Sequence, residues 1–226
     1  MNGYPKAIVW DLDGTLIDSA PDLAHALNTL LRENERAGLE EYLIRSMIGD
    51  GIGKLIERGF RATGIVLSES QLQSLIPRFV LIYSRCATNE TCLYPDTESV
   101  LQHFCRSGVR LGVCTNKPEK ISRQILSAFG IADYFEIVVG GDSTTRKKPD
   151  PLPLQACLEK LAAAPNDCIL IGDSDIDVAT ARAAELPVGI VSFGYSRQSV
   201  STLGADLLID RYSSLPGLIA GLRKAG

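Results

Sequence analysis

Short runs of apolar residues recur along the chain without alternating with polar positions. Six of these runs are predicted as strands, the last of them more weakly: residues 7–10, 109–114, 137–139, 168–171, 188–191 and 207–209. A continuous apolar run of this length is typical of a parallel strand that is covered on both faces of its sheet. The pattern therefore predicts a sheet with two buried faces.

Helical patterns separate several of these strands. Residues 119–129, 150–165 and 177–186 are predicted as helices. The first two have apolar residues at helical spacing, with Pro118 and Asp150-Pro151 near their starts. Strands that alternate with helices in this way form right-handed crossovers in a doubly wound parallel sheet, which binds ligands at the carboxyl ends of its strands. We therefore expect an α/β fold with a Rossmann-like core.

The stretch of residues 17–89 breaks this alternation, because its apolar residues follow helical periods and it contains no convincing strand. Its first helix is expected to begin near Ser19. The three glycines within residues 49–53 predict a turn between two helices, whose main-chain amides are available to a ligand. We interpret the stretch as an inserted α-helical cap, with these expected bounds: cap 17–89, catalytic core 1–16 and 90–226.

Charge and composition exclude several classes of function. A formal net charge of −4 argues against a broad basic face, so nucleic acid is not an expected partner. No apolar run reaches the roughly 18 residues that span a bilayer, and acidic residues near the start argue against an export signal. The six cysteines show no C-x-x-C spacing and are expected to be reduced and mostly buried. A cytoplasmic protein is expected, whereas its oligomeric state cannot be read from the sequence.

Two aspartates follow the first predicted strand within the sequence DLDGT at residues 11–15. Residues i and i+2 of an extended backbone point the same way, so the carboxylates of Asp11 and Asp13 converge. Such crowding favours a cation, and Mg²⁺ is commonly held by one or two carboxylates together with a substrate phosphate. For this pair taken alone, a solvated acidic turn is an equally good interpretation.

Three further polar clusters follow later strands. Thr115 and Asn116 can donate hydrogen bonds to a phosphoryl oxygen, although a helix cap is the alternative. Lys148 places a cation beside a proline-rich turn, where a solvated basic loop is the alternative. Asp173 and Asp177 follow the fourth strand, and an acidic first helical turn does not explain an aspartate placed directly after an apolar run. Burying these acids requires a metal.

The order of the four clusters resembles the haloacid dehalogenase-like phosphohydrolases. The matching motifs are D-x-D-G-T at residues 11–15, Thr-Asn at 115–116, Lys-Pro-x-Pro at 148–151 and G-D-x-x-x-D at 172–177. Within that family the chain most resembles phosphoglycolate phosphatases, a match to which residues 47–51 and 193–195 contribute. The resemblance implies a Mg²⁺-dependent phosphatase that hydrolyses a small phosphate monoester, 2-phosphoglycolate, through an aspartyl phosphate.

The resemblance also implies roles for the four acids. Asp11 is expected to be the nucleophile, and Asp13 the general acid and base. The metal is expected to bind the carboxylates of Asp11 and Asp173 and the backbone carbonyl of Asp13, while Asp177 orients a water on the metal. Thr115, Asn116 and Lys148 are expected to bind the phosphate.

The cap is expected to select the leaving group. We predict contacts from the glycine-rich turn at Gly49, Asp50 and Gly51, whose amides can hold a small carboxylate. Arg45 or Lys54 is expected to add positive charge.

Other functions remain open at this point. Beta-phosphoglucomutase-like enzymes and sugar-phosphate phosphatases keep both aspartates and the cap, so they are the principal alternatives. A phosphonoacetaldehyde hydrolase would use a cap lysine, for which Lys54 is well placed, but the presence of Asp13 argues against it. A non-enzymatic phospho-signalling module is disfavoured because its acceptor aspartate follows the third strand, whereas Asp11 follows the first.

Overall fold

The computed structural model describes residues 3–222, whose centre is a six-stranded parallel sheet. The strands of the described chain are β1 (Ala7–Trp10), β2 (Ile17–Asp18), β3 (Cys92–Leu93), β4 (Arg110–Cys114), β5 (Ile137–Val139), β6 (Cys168–Gly172), β7 (Val188–Val191) and β8 (Leu207–Ile209). The sheet has the order β5-β4-β1-β6-β7-β8, and each neighbouring pair is parallel. The predicted doubly wound sheet is therefore confirmed, including its weaker last strand.

Helices cover the sheet and form the cap. The α-helices are α1 (Ala20–Glu33), α2 (Glu41–Arg45), α3 (Ile52–Ala62), α4 (Glu69–Cys86), α5 (Thr97–Arg106), α6 (Glu119–Ala128), α7 (Leu152–Lys160), α8 (Asp175–Ala183) and α9 (Leu215–Leu222). Helices α1 to α4 pack against one another and form the inserted helical cap. They lie within the predicted cap range, whose end points at residues 17 and 89 stay a prediction.

The unbroken apolar runs follow from burial of both sheet faces. In β1, Ile8 and Trp10 point into the larger apolar core, which includes residues of α5, α6 and α9. Ala7 and Val9 point to the opposite face, where they join residues of α7 and α8. Because successive side chains of a strand alternate between two faces, both sets have to be apolar in such a three-layer arrangement.

The order of the strands places a crevice at the centre of the sheet. β1 pairs with β4 on one side and with β6 on the other, so the chain winds outward from β1 in both directions. Ligands of such sheets bind beyond the carboxyl ends of the strands at this switch point. Asp11, Thr115 and Asp173 directly follow β1, β4 and β6, so they meet at this crevice.

A small hairpin connects the core to the cap. β2 and β3 pair antiparallel, with Ile17 opposite Leu93 and Asp18 opposite Cys92. The expectation of no strand between residues 17 and 89 is therefore wrong at Ile17–Asp18. Two residues are too few for an alternating pattern to appear in the sequence.

Several predicted helix boundaries shift. α7 ends at Lys160 rather than near residue 165, because Ala162 adopts a left-handed backbone with φ 45°. α8 begins at Asp175 rather than at Asp177, and Ser174 caps it. The predicted turn of residues 49–53 ends at Ile52, where α3 starts, so Gly53 is helical. Helices α5 and α9 are additions to the elements predicted from the sequence.

Cysteine burial and helix hydropathy bear on the composition of the chain. All six cysteines are free, and Cys86, Cys114, Cys157 and Cys168 are buried. Within residues 3–222, no helix combines the length and the apolar character needed to cross a membrane.

Asp22 ties the start of the cap to the segment that returns to the core. Its carboxylate is 1% exposed and accepts hydrogen bonds from the backbone N–H of Glu90 at 3.0 Å, from the N–H of Thr91 at 2.9 Å and from the Thr91 hydroxyl at 2.7 Å. One carboxylate thus accepts hydrogen bonds from three polar groups where the chain returns from the cap to the core.

We predict that Asp22→Ala lowers the free energy of unfolding by about 1–3 kcal/mol, because it leaves buried donors of Thr91 without an acceptor. Urea denaturation measures the change. The matched control is Asp133→Ala, which removes an exposed aspartate and should change stability by less than about 0.5 kcal/mol. Equal stability of the two variants would contradict the role given to Asp22.

Candidate active site

Three buried carboxylates gather at the carboxyl ends of β1 and β6. Asp11, Asp173 and Asp177 each offer an oxygen, and these oxygens lie within 4.8 Å of one another. Lys148 reaches the same cluster, with its Nζ 3.0 Å from Asp11 Oδ1 and 2.7 Å from Asp177 Oδ1. All four side chains are at least nine-tenths buried. The structure therefore brings together acids and a lysine that lie 137 to 166 residues away from Asp11 in the sequence.

The cluster carries more negative charge than its lysine balances. Burial raises the pKa of Asp11 to about 6, although the charge of Lys148 acts in the opposite direction. Burial also raises the pKa of Asp173 well above its usual value, and the negative charges of Asp177 and Asp11 add to this effect. Burial alone would lower the pKa of Lys148, but the charges of Asp11 and Asp177 raise it, so the lysine stays cationic.

The donor set fits a hard divalent cation. Carboxylate oxygens are the ligands that Mg²⁺ prefers in proteins, and a divalent charge would lower the cost of keeping Asp11 and Asp173 ionised. The cluster of Asp11, Asp173 and Asp177 is therefore an acidic group that can bind a metal.

Close backbone packing explains the glycine of the first motif. Gly14 has a φ of +79°, a left-handed conformation that favours glycine. A Cβ atom at Gly14 would also collide with the carboxylate of Asp173. Asp173 is fixed from the other side by the backbone N–H of Tyr195, which donates to its Oδ2 at 2.6 Å. The loop after β1 therefore needs a glycine in order to approach the acid that follows β6.

Asp177 has partners for both of its oxygens. Oδ1 accepts the hydrogen bond from Lys148, and Oδ2 accepts from the Ser174 hydroxyl at 2.7 Å and from the backbone N–H of Asp173 at 3.2 Å. Asp177 thus orients Lys148 and closes the first turn of α8. Its expected role toward water stays a prediction.

Asp13 points away from this acid cluster. Its Oδ1 lies 2.5 Å from the Ser19 hydroxyl and 2.5 Å from Nζ of Lys117. Lys117 is a site residue to which the sequence reasoning gave no role, although it directly follows Thr115 and Asn116. Its side chain is 2% exposed, which is unusual for lysine and marks it as part of the site.

Thr115 and Asn116 lie at the boundary between core and cap. Both line a cavity between the two, together with Asp11, Asp13 and the glycines of the cap turn. The Asn116 amide donates to the carbonyl of Gly49 and to the carbonyl of Lys148, each at 3.1 Å. Asn116 therefore links the cap turn to the loop that carries the lysine.

The cap turn contributes unevenly to this cavity. Gly49 and Gly51 line it, whereas Asp50 forms ion pairs with Arg58 and with Arg197 on the outer side of the turn. Arg197 also donates to the carbonyl of Ser46 at 2.5 Å. Asp50 thus holds the turn in place rather than facing the cavity.

The two cations expected from the cap have other partners. Arg45 pairs with Asp18 at 3.0 Å and stacks over the ring of Tyr195 at 5.2 Å. Lys54 pairs with Glu57 at 2.7 Å, and its side chain is 55% exposed.

Tyr195 joins Asp173 to the base of the cap. Its backbone holds Asp173, and its hydroxyl donates to Asp18 at 2.7 Å while accepting from the backbone N–H groups of Ser19 at 2.7 Å and Ala20 at 3.1 Å. From the sequence alone, residues 193–195 contribute only to the resemblance to a family and have no predicted structural role. The structure shows that this loop fixes one acid and the entry to α1 at the same time.

Comparison with known proteins identifies relatives over nearly the whole chain. The model of the haloacid dehalogenase-like hydrolase family matches residues 8–191. Phosphoglycolate phosphatase of Rhodospirillum rubrum is 42% identical, over 93% of this chain and 89% of the relative. Phosphoglycolate phosphatase of Caulobacter vibrioides is 38% identical, over 96% of this chain and 90% of the relative. A crystal structure from Haemophilus somnus, described as a predicted phosphoglycolate phosphatase, superposes with a TM-score of 0.89 at 30% identity and covers 96% of this chain and 99% of that chain.

The buried lysine generates a prediction about stability. We expect Lys148→Met to lower the free energy of unfolding in EDTA by about 3–5 kcal/mol, because it leaves buried carboxylates without their cation. The neighbouring exposed lysine offers a matched control, since Lys147→Met should change stability by less than about 0.5 kcal/mol. Urea denaturation at neutral pH distinguishes the two, and equally stable variants would refute the charge balance described above.

Proposed function

This chain belongs to the haloacid dehalogenase-like hydrolases and is a phosphoric monoester hydrolase, and we propose that it hydrolyses 2-phosphoglycolate to glycolate and phosphate with Mg²⁺. The observation that carries the chemistry is the buried group of Asp11, Asp173, Asp177 and Lys148 beside the cavity. The substrate is supported by the names of two relatives that are 42% and 38% identical to this chain.

Asp11 is the proposed nucleophile. Its Oδ1 accepts the N–H of Leu12 at 2.7 Å and lies 3.0 Å from Lys148 Nζ, which fixes the carboxylate at the floor of the cavity. A carboxylate oxygen attacks phosphorus, the bond from phosphorus to the leaving oxygen breaks, and an aspartyl phosphate forms. Water then attacks the same phosphorus and releases phosphate, which regenerates the free carboxylate.

Asp13 is the proposed proton carrier. It lines the cavity beside Asp11, and Ser19 and Lys117 hold its side chain in place. In the first step it gives a proton to the alkoxide that leaves phosphorus, and in the second it takes a proton from the attacking water. One carboxyl group therefore returns to its starting state after both steps.

The phosphate oxygens need positive charge and hydrogen-bond donors. We propose that Thr115, Asn116 and Lys148 provide them from the protein, while Asp11, Asp173 and the backbone carbonyl of Asp13 hold Mg²⁺ with Asp177 beside them. The ion would supply positive charge that offsets the charge of the transferring phosphoryl group. Most of the catalysis of phosphoryl transfer is positioning and charge neutralisation of this kind.

The test is a panel of two phosphate esters and one phosphonate with Mg²⁺. We expect the highest kcat/KM for 2-phosphoglycolate, above glucose 1-phosphate and phosphonoacetaldehyde, and we expect EDTA to abolish turnover. Asp11→Asn should lower kcat by at least about 1000-fold, because it removes the nucleophile. Acid quenching during turnover of phosphorus-labelled substrate should trap label on the wild-type protein.

Asp175→Asn is the matched control, since Asp175 is an exposed aspartate of the same acidic segment. This variant should keep wild-type kcat. Full activity of Asp11→Asn would disprove the proposed nucleophile. A preference for glucose 1-phosphate with an isomerised product would instead assign the chain to the mutase branch.

A further inference from the structure

Lys117, which holds Asp13 in place, is a buried cation to which the proposed transfer of the phosphoryl group gives no contact with substrate. Among the described residues that line this cavity, Lys117 is the positively charged one. Its Nζ lies 2.5 Å from Asp13 Oδ1 and 4.7 Å from the centre of the Tyr83 ring. A lysine buried between an acid and an aromatic face is costly to desolvate, and its three donors exceed what one carboxylate oxygen accepts.

Tyr83 adds an unused donor on the cap side of the same cavity. Its side chain is fully buried, and its hydroxyl makes no hydrogen bond of good geometry among the described residues, although the nearby Ser19 hydroxyl, which donates to Asp13, acts to lower the pKa of Tyr83. Burial raises the pKa of Tyr83 well above its usual value, and the charges of Asp13 and Asp22 act in the same direction. The phenol therefore stays protonated and able to donate. Leaving such a group unpaired costs stability, which a bound acceptor would recover.

The basic residues in and near the cap turn already form ion pairs with acidic residues of the protein. Arg45 is paired with Asp18, Lys54 with Glu57, and Arg58 with Asp50. An anion in the cavity would therefore meet positive charge from the core side, at Lys117, and a neutral donor from the cap side, at Tyr83.

Resting on the proposed function, we propose that Lys117 and Tyr83 bind a carboxylate on the leaving group. The substrate class is then a small phosphate ester whose anionic group is attached to the carbon that bears the ester oxygen. Lys117 contacts Asp13, the residue proposed to protonate that ester oxygen. A carboxylate one carbon away from the oxygen falls beside Lys117 when the oxygen lies beside Asp13.

The size of the cavity agrees with a small leaving group. Its volume is about 30 Å³, well below the roughly 300–1,000 Å³ of typical ligand pockets. Apolar side chains of Leu23, Ile48 and Leu55 form other parts of its wall. A two-carbon acid requires less displacement of these side chains than a sugar ring does.

The test compares two esters that differ in one group. 2-Phosphoglycolate carries a carboxylate where 2-hydroxyethyl phosphate carries a neutral CH₂OH, and the measured quantity is the ratio of their kcat/KM values. We expect Lys117→Met to lower this ratio by about 10- to 100-fold, the effect of losing a hydrogen bond to a charged group. Tyr83→Phe, which removes only the hydroxyl, should lower it by about 3- to 10-fold.

The ratio separates carboxylate binding from an effect on Asp13. If Lys117 only positions Asp13, both activities fall together and the ratio stays constant, which would overturn the inference. Tyr83→Phe provides the same comparison should Lys117→Met fold poorly. Lys54→Met is the matched control on the cap and should leave the ratio unchanged, whereas a falling ratio would move the recognition to the cap and overturn the assignment.

Different results would contradict carboxylate binding by Lys117 and Tyr83 and the proposed phosphatase function. A wild-type protein that hydrolyses both esters at similar kcat/KM keeps its phosphatase chemistry but contradicts carboxylate binding. A wild-type protein that hydrolyses neither ester in the presence of Mg²⁺ contradicts the proposed function, and the inference falls with it.

Discussion

The excess of buried carboxylate charge at the centre of the sheet is the constraint on which the rest of the site depends. Asp11, Asp173 and Asp177 lie within reach of one another and share one lysine, Lys148. Burial raises the pKa of Asp11 to about 6, which means that the ionised form of this carboxyl group is less stable here than in water. Such a cluster is stable when a divalent cation joins it, and the same cation can then offset the charge of a phosphate. One electrostatic requirement thus links folding stability to the chemistry.

The loop after β7 and the cap turn connect this cluster to the cavity. Tyr195 holds Asp173 through its backbone and the entry to the cap through its hydroxyl. Asn116 binds a cap carbonyl and the carbonyl of Lys148 with one amide group. A movement of the cap would therefore act on the residues around the acidic cluster as well as on access to the cavity. Closure of this kind excludes water from the reacting groups, which strengthens every charge interaction inside.

The sequence predicts the core more completely than it predicts the cap. Both sheet faces are buried, so apolar runs mark the six strands directly, and polar residues at their ends must share one edge. The contact between Asp13 and Lys117 spans 104 positions and depends on how the two loops turn. Periodicity carries no information on that geometry. The partners of Arg45, Asp50 and Lys54 could not be predicted for a similar reason. Several oppositely charged residues lie within reach of each of these side chains, and the sequence pattern does not show which of them forms the ion pair. The two-residue strands of the hairpin are too short to leave a pattern.

A crystal structure with Mg²⁺ and beryllofluoride, a mimic of a phosphoryl group bound to a carboxylate, would test whether Asp11 both binds the cation and accepts the phosphoryl group. We expect one cation held by Asp11 and Asp173, and a BeF₃⁻ group whose beryllium is bonded to a carboxylate oxygen of Asp11 and whose fluorines face Thr115 and Lys148. A cation bound elsewhere would show that Asp11 is not a metal ligand, and BeF₃⁻ bound without a bond to Asp11 would show that Asp11 is not the nucleophile.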